Sequence, residues 1–139
     1  MLIQWNQKFA TGNRLVDHQH QALFEAVNAF DSSLEQGMTP ERMDETLSFL
    51  ARYAREHFST EEFLMLRSGF PNLGLHKGEH DRLLTRVKFI HDLRAQDPGL
   101  VPPEGLARFL ADWLQGHILG WDLSFFEWLK DHPLEEEPQ

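Results

Sequence analysis

The 139-residue sequence contains no cysteine. That excludes disulfides, Cys-ligated zinc, Cys-held iron–sulfur clusters and thiol redox chemistry within the chain. Basic residues are also scarce: 13 Lys and Arg stand against 22 Asp and Glu, a net charge of -9. With the acids dispersed, such a surface repels nucleic acid and anionic membranes, so neither is an expected partner. No apolar run is long enough to span a bilayer, and the N-terminal "MLIQWNQKFATGNR" lacks the basic and apolar regions of a signal peptide. No membrane insertion is expected, and a cytoplasmic location is the expectation that follows. Strand-like alternation and repeats at a fixed period are missing too.

What is present fits one soluble domain with a proper core: 41% hydrophobic and 25% charged residues. Residues 1–15 read as an extended arm in which Trp5 and Phe9 pack on a core. Residues 16–130 carry four amphipathic segments, and residues 131–139 an acidic tail ending in "EEEPQ". The first helix runs from near Val16 to about Gln36, with His20, Leu23, Phe24, Val27, Phe30 and Leu34 on one stripe and Gly37 as its stop. Thr39 and Pro40 suit the N-cap and first position of a second helix. Its seam is Met43, Leu47, Leu50, Ala54, His57, Glu61 and Leu64, and "RSGFPNLG" breaks it. The third helix spans about Leu75 to Arg94, with His76, His80, Leu83, Val87 and Ile90 inward. The fourth starts at Pro102–Pro103 and continues through Leu106, Phe109, Leu110, Trp113 and His117 to about Leu129. Four such segments with short links predict an all-α fold, an antiparallel up-down-up-down four-helix bundle.

Eight histidines are many for a chain of this size. A lone inward histidine is more often an ordinary core residue than a ligand, and His18, His91 and His132 fall off the seams or in the tail. The other five do not read that way. His57 and Glu61 share a face at i, i+4, as do His76 and His80, while His20 and the pair His117 and Asp122 come from the first and fourth helices. In an up-down-up-down bundle these positions fall at one level. Five imidazoles and two carboxylates buried together without a cation would cost several kcal/mol. The set offers too many donors for one tetrahedral zinc. It suits two adjacent metals of about six-coordinate demand, with a solvent-derived oxide or hydroxide bridge and one open position. Mixed nitrogen and oxygen ligation points to redox-active iron rather than Mg or Ca.

The segments "VDHQHQALFEAVN", "HFSTEEFLM", "GFPNLGLHKGEHDRLL" and "WLQGHILGWD" resemble the signature segments of hemerythrins, bacteriohemerythrins above all, from Trp5 to about Phe126. The order H, HxxxE, HxxxH, HxxxxD is specific only when taken together. The resemblance implies reversible O2 binding at a non-haem di-iron centre of two Fe2+/Fe3+ ions. It implies that His76, His80 and His117 bind one iron and that His20 and His57 bind the other, which keeps the O2 position. Glu61 and Asp122 would bridge them. Leu23, Phe58, Trp113, Leu114 and Ile118 would form the apolar pocket that keeps water and acids from bound O2.

No Lys, Arg or further acid is expected beside that pocket, which favours a carrier over an enzyme needing a positioned proton donor. The expectation is therefore O2 storage, buffering or delivery. A sensor module acting through a partner ranks second, because the sequence starts with Met1 at the arm and ends soon after the fourth helix. A di-iron peroxidase, oxidase or nitric oxide scavenger ranks third. A monomer is expected, with an O2-consuming enzyme or a signalling protein as candidate partner. One geometric question stays open: His117 and Asp122 are i, i+5, about 140° apart on a regular helix. Either Asp122 reaches in from the flank of the seam, or Gly120 allows a π-type turn.

Overall fold

A computed structural model describes residues 2–37 and 39–134, so the "EEEPQ" end of the expected acidic tail lies outside the described residues. The helices are α1 (Arg14–Ser33), α2 (Pro40–Ser68), α3 (Leu73–Gln96) and α4 (Pro103–His117), the last continuing through a π-turn (Ile118–Asp122) into α5 (Leu123–Asp131). Because α4, the π-turn and α5 form one run, the architecture is a four-helix bundle. Within it α1 packs against α2 and α4, and α2 against α3.

The helix ends follow local chemistry. Asn13 caps α1 by accepting from the Val16 amide, starting the helix two residues before the apolar stripe begins. Thr39 caps α2 in the same way and accepts from the Arg42 amide, with Pro40 at the first position. At its other end α2 runs through Arg67 and Ser68, past the expected break. It stops in a Schellman arrangement: Gly69 at φ 73° donates to Leu66 O, and the Phe70 amide donates to Met65 O at 3.0 Å. The arm is extended apart from a 3-10 turn at Gln7–Phe9. Asn28 of α1 holds it, accepting from the Leu2 and Ile3 amides and donating to Ile3 O at 2.7 Å. Phe9 is buried, and Trp5 and Phe9 both pack on Phe24.

Two apolar clusters divide the interior. The larger one gathers Leu23, Phe24, Val27, Leu47, Leu50, Leu83, Val87 and Leu110 with their neighbours. The smaller one, Val16, Met65, Phe70, Phe125 and Phe126, closes the other end. Val16 lies one turn before His20, and Met65 one turn after Glu61. The polar layer is thus sealed on both sides by hydrocarbon. On α2 the buried seam passes from Glu61 to Met65, leaving Leu64 half-buried rather than on the seam. A straight helix of 3.6 residues per turn drifts away from an alternating four-three pattern, and this is the drift at work.

Candidate metal centre

His20, His57, Glu61, His76, His80, His117 and Asp122 occupy one layer, each at most 5% exposed. Their donor atoms fall into two groups: Glu61, His76, His80, His117 and Asp122 in one, and His20, His57, Glu61 and Asp122 in the other. The two carboxylates are common to both. Asp122 stands between the histidines, with His76 Nε2 at 2.9 Å and His117 Nε2 at 3.0 Å from Oδ1, and His20 Nε2 at 3.0 Å from Oδ2. Glu61 Oε1 lies 3.0 Å from His57 Nε2 and 3.6 Å from His80 Nε2. His117 Nε2 is 3.3 Å from His76 Nε2 and 3.0 Å from His80 Nε2.

The fourth helix brings both its polar groups inward through its backbone. Ile118–Asp122 is a π-turn, and the Leu123 amide donates to Ile118 O, an i to i−5 bond. The widened turn rotates Asp122 back over His117. Gly120 is not what permits it: its φ is not positive, and a Cβ added there meets nothing within 4 Å.

The donor set fits a metal pair on this structure's own terms. His57 Nδ1–H donates to Gln19 Oε1 at 2.7 Å, and His80 Nδ1–H donates to Glu62 Oε2 at 2.8 Å. The proton being on Nδ1, Nε2 of each ring presents a lone pair to the layer. Both Glu61 oxygens, Asp122 Oδ2 and the Nε2 atoms of His20 and His57 are buried without a hydrogen-bond partner. Lone pairs that converge at about 3 Å with no proton between them repel unless a cation satisfies them all. Burial, with His20 nearby, lowers the His57 pKa to about 3. Burial, reinforced by His117 and His76, lowers that of His80 to about 2. Both rings are therefore neutral, the form that binds metal. Burial and the facing Asp122 push Glu61 well above the usual carboxylate range. Burial acts on Asp122 in the same direction, but the surrounding histidines, His117 foremost, outweigh it and hold Asp122 well below that range. A bound cation would favour the charged form of both carboxylates.

Aromatic rings brace the ligands. Phe58 stacks on His80 at 3.8 Å, and Trp113 stacks on His117 at 4.5 Å. Trp121 meets His76 edge-on at 5.6 Å. A cavity of about 40 Å³ adjoins the layer and continues between the helices. His20, His57, His117 and Asp122 form its polar floor, and its wall is apolar, including Leu23, Phe58, Trp113 and Leu114. Ile118 is fully buried in the larger apolar cluster but is not part of the cavity wall. His18, His91 and His132 are exposed and belong to neither donor group. Gln19 and Glu62 were not among the residues expected from sequence. Each is the neighbour in sequence of a buried layer residue, His20 and Glu61, and that adjacency was the available signal.

Fold and layer together define a class: a four-helix-bundle protein with paired metal-ligating groups in its core. Comparison with known proteins narrows this. Residues 11–129 match the family described as hemerythrin HHE cation binding domain. A bacteriohemerythrin of Aquifex aeolicus is 30% identical over 136 residues, covering 94% of this chain and 100% of that one. A bacteriohemerythrin of Methylococcus capsulatus is 30% identical, covering 84% and 88%. A crystal structure of wild-type hemerythrin superposes with a TM-score of 0.82 at 27% identity, covering 91% of this chain and 97% of that one. The chain belongs to the hemerythrin family, whose members are generally non-catalytic O2 carriers or sensors. Its buried His, Glu and Asp cluster is consistent with reversible O2 binding at a non-haem di-iron site. No helix among the described residues is long and apolar enough to cross a membrane.

Proposed function

We propose that this protein is an O2 carrier, for storage, buffering or delivery. In this reading His76, His80 and His117 hold one iron, His20 and His57 the other, and Glu61 and Asp122 are shared. The iron, when bound, supplies the electrons on which reversible O2 binding draws. The chain's own residues do the rest. They fix neutral imidazoles toward the pair, hold the two carboxylates between them, and keep the ligand space dry.

The observation that carries the reading is the cavity. It touches both histidines of the two-histidine group and, of the other group's three, only His117. That supports a ligand position on the less fully ligated metal. A volume of about 40 Å³ suits a diatomic molecule. Sites for organic substrates are roughly 300–1,000 Å³. No Lys, Arg or Glu lines the cavity, so apart from the shared Asp122 and the histidines nothing there transfers a proton. This favours holding O2 over reducing it.

Metal analysis joined to a turnover assay tests the proposal. We expect two irons per chain and no sustained consumption of peroxide or nitric oxide in the presence of a reductant. About one zinc per chain overturns the paired-iron reading. Sustained turnover overturns the carrier reading in favour of a di-iron enzyme.

A further inference from the structure

The five inward imidazoles differ in what stands behind them. The Nδ1 atoms of His20, His76 and His117 are buried without a hydrogen-bond partner among the described residues. His57 and His80 have side chains behind them, and these two rings fall in different ligand groups. Behind His57 stands a neutral acceptor. The Thr60 hydroxyl donates to Glu56 O at 3.1 Å, and Thr60 Oγ1 accepts from Gln19 Nε2 at 3.3 Å. That fixes which end of the Gln19 amide is the oxygen, and so which nitrogen of His57 carries the proton. Behind His80 stands an anionic acceptor, the Glu62 carboxylate, whose side chain is 23% exposed.

We propose that Gln19 and Glu62 are positioning residues that make the two metals electronically unequal, with the more electron-rich one on the side away from the cavity. A carboxylate hydrogen-bonded to the far nitrogen increases the basicity of a ligating imidazole and strengthens its donation to the metal. Negative charge near a metal favours its higher oxidation state. An amide at the same position fixes the ring and its tautomer without adding charge. Glu62 therefore stabilises the three-histidine metal when oxidised. Gln19 orients His57 while leaving the cavity-side metal less biased toward permanent oxidation. This inference rests on the paired-metal reading above, and its test separates the two.

The test uses the full chain and four variants. Glu62→Gln and Gln19→Glu change charge at near-constant shape. Glu62→Leu and Gln19→Leu remove the acceptor. Co(II) titration of the metal-free proteins, followed by visible absorption, reads each binding step. Spectroelectrochemistry of the iron-loaded proteins reads the reduction potential. We expect wild type to take up two Co(II) and each Leu variant to weaken one step by about 10- to 100-fold. Glu62→Gln should still load two metals with a raised potential, and Gln19→Glu with a lowered one. Unchanged binding constants in both Leu variants overturn the inference, as do potentials that stay fixed or move in the same direction in the two charge variants. Wild type that takes up fewer than two Co(II) overturns the paired-metal reading itself.

Discussion

Replacing Phe58 by alanine joins packing to function at one position. The ring is 3% exposed, lies flat against His80 at 3.8 Å with a 4° tilt, and forms part of the cavity wall. Truncating a buried Phe to Ala costs about 3–5 kcal/mol. The aromatic stack accounts for about 0.5–1.5 kcal/mol of interaction beyond burial. Unfolding entropy of about 2.1 cal/mol/K per residue, applied to 139 residues, gives roughly 0.3 kcal/mol/K. A loss of about 4 kcal/mol therefore lowers Tm by roughly 13 °C. The enlarged space would border His57, His80 and His117, whose polar atoms can stabilise a water molecule. Water at that floor is what the apolar wall excludes. We expect Phe58→Ala to bind two metals, melt about 13 °C lower by circular dichroism, and autoxidise faster in air. Phe58→Leu should fall between it and wild type in both properties. A Tm within 3 °C of wild type together with an unchanged autoxidation rate would show that Phe58 neither stabilises the core nor keeps the floor dry.

Three further outcomes follow from the layer. Glu61→Ala removes a carboxylate common to both ligand groups and should lower metal content and Tm together, because bound metal stabilises the folded chain; full metal occupancy by elemental analysis would show that Glu61 is not a shared ligand. In the metal-free protein, unfolding takes His57 and His80 from pKa values of about 3 and about 2 back to 6.5, and Glu61 from a raised value back to 4.5. Below about pH 6 the unfolded chain holds most of both imidazole protons, while the raised pKa of Glu61 lets the folded chain offset at most one of them. The folded state is then the poorer proton binder by about one or more, so stability should fall by on the order of 1.4 kcal/mol per pH unit on further acidification. Urea midpoints at pH 6 and pH 5 measure this, and a midpoint that rises toward pH 5 would contradict it. Gly120→Ala should keep metal content unchanged and gain up to about 1 kcal/mol, since the π-turn does not need glycine there; loss of metal in this variant would show otherwise.

Much of the fold was legible because it depends on periodicity. His20, Leu23, Phe24, Val27 and Phe30 mark one face of α1, and Thr39 with Pro40 marks a helix start; both depend only on neighbours in sequence. The seam of α2 was less legible at its end. An alternating four-three pattern points to Leu64, and an uncoiled helix turns Met65 inward instead. The convergence of seven polar groups could be read because an unpaired buried imidazole or carboxylate is costly, so their coincidence on four inward stripes demanded one explanation. Gln19 and Glu62 were hidden for a related reason. They sit on the flanks of the stripes, and their roles depend on which way the rings of His57 and His80 turn, which no stripe encodes. The i, i+5 spacing of His117 and Asp122 flagged an irregular turn without selecting it. The choice fell to a widened backbone because both side chains are drawn to the same layer while Phe125 and Phe126 must still close the end below it.

In the proposed reading, this layer and its small apolar cavity hold O2 and let it go. An anaerobic absorption titration of the ferrous, iron-loaded protein with O2 decides whether they do. We expect saturable ligand-to-metal charge-transfer bands at one O2 per chain, abolished by argon and restored by air over repeated cycles. Bands that fail to saturate at that ratio, or a single irreversible conversion to the ferric protein, would contradict it.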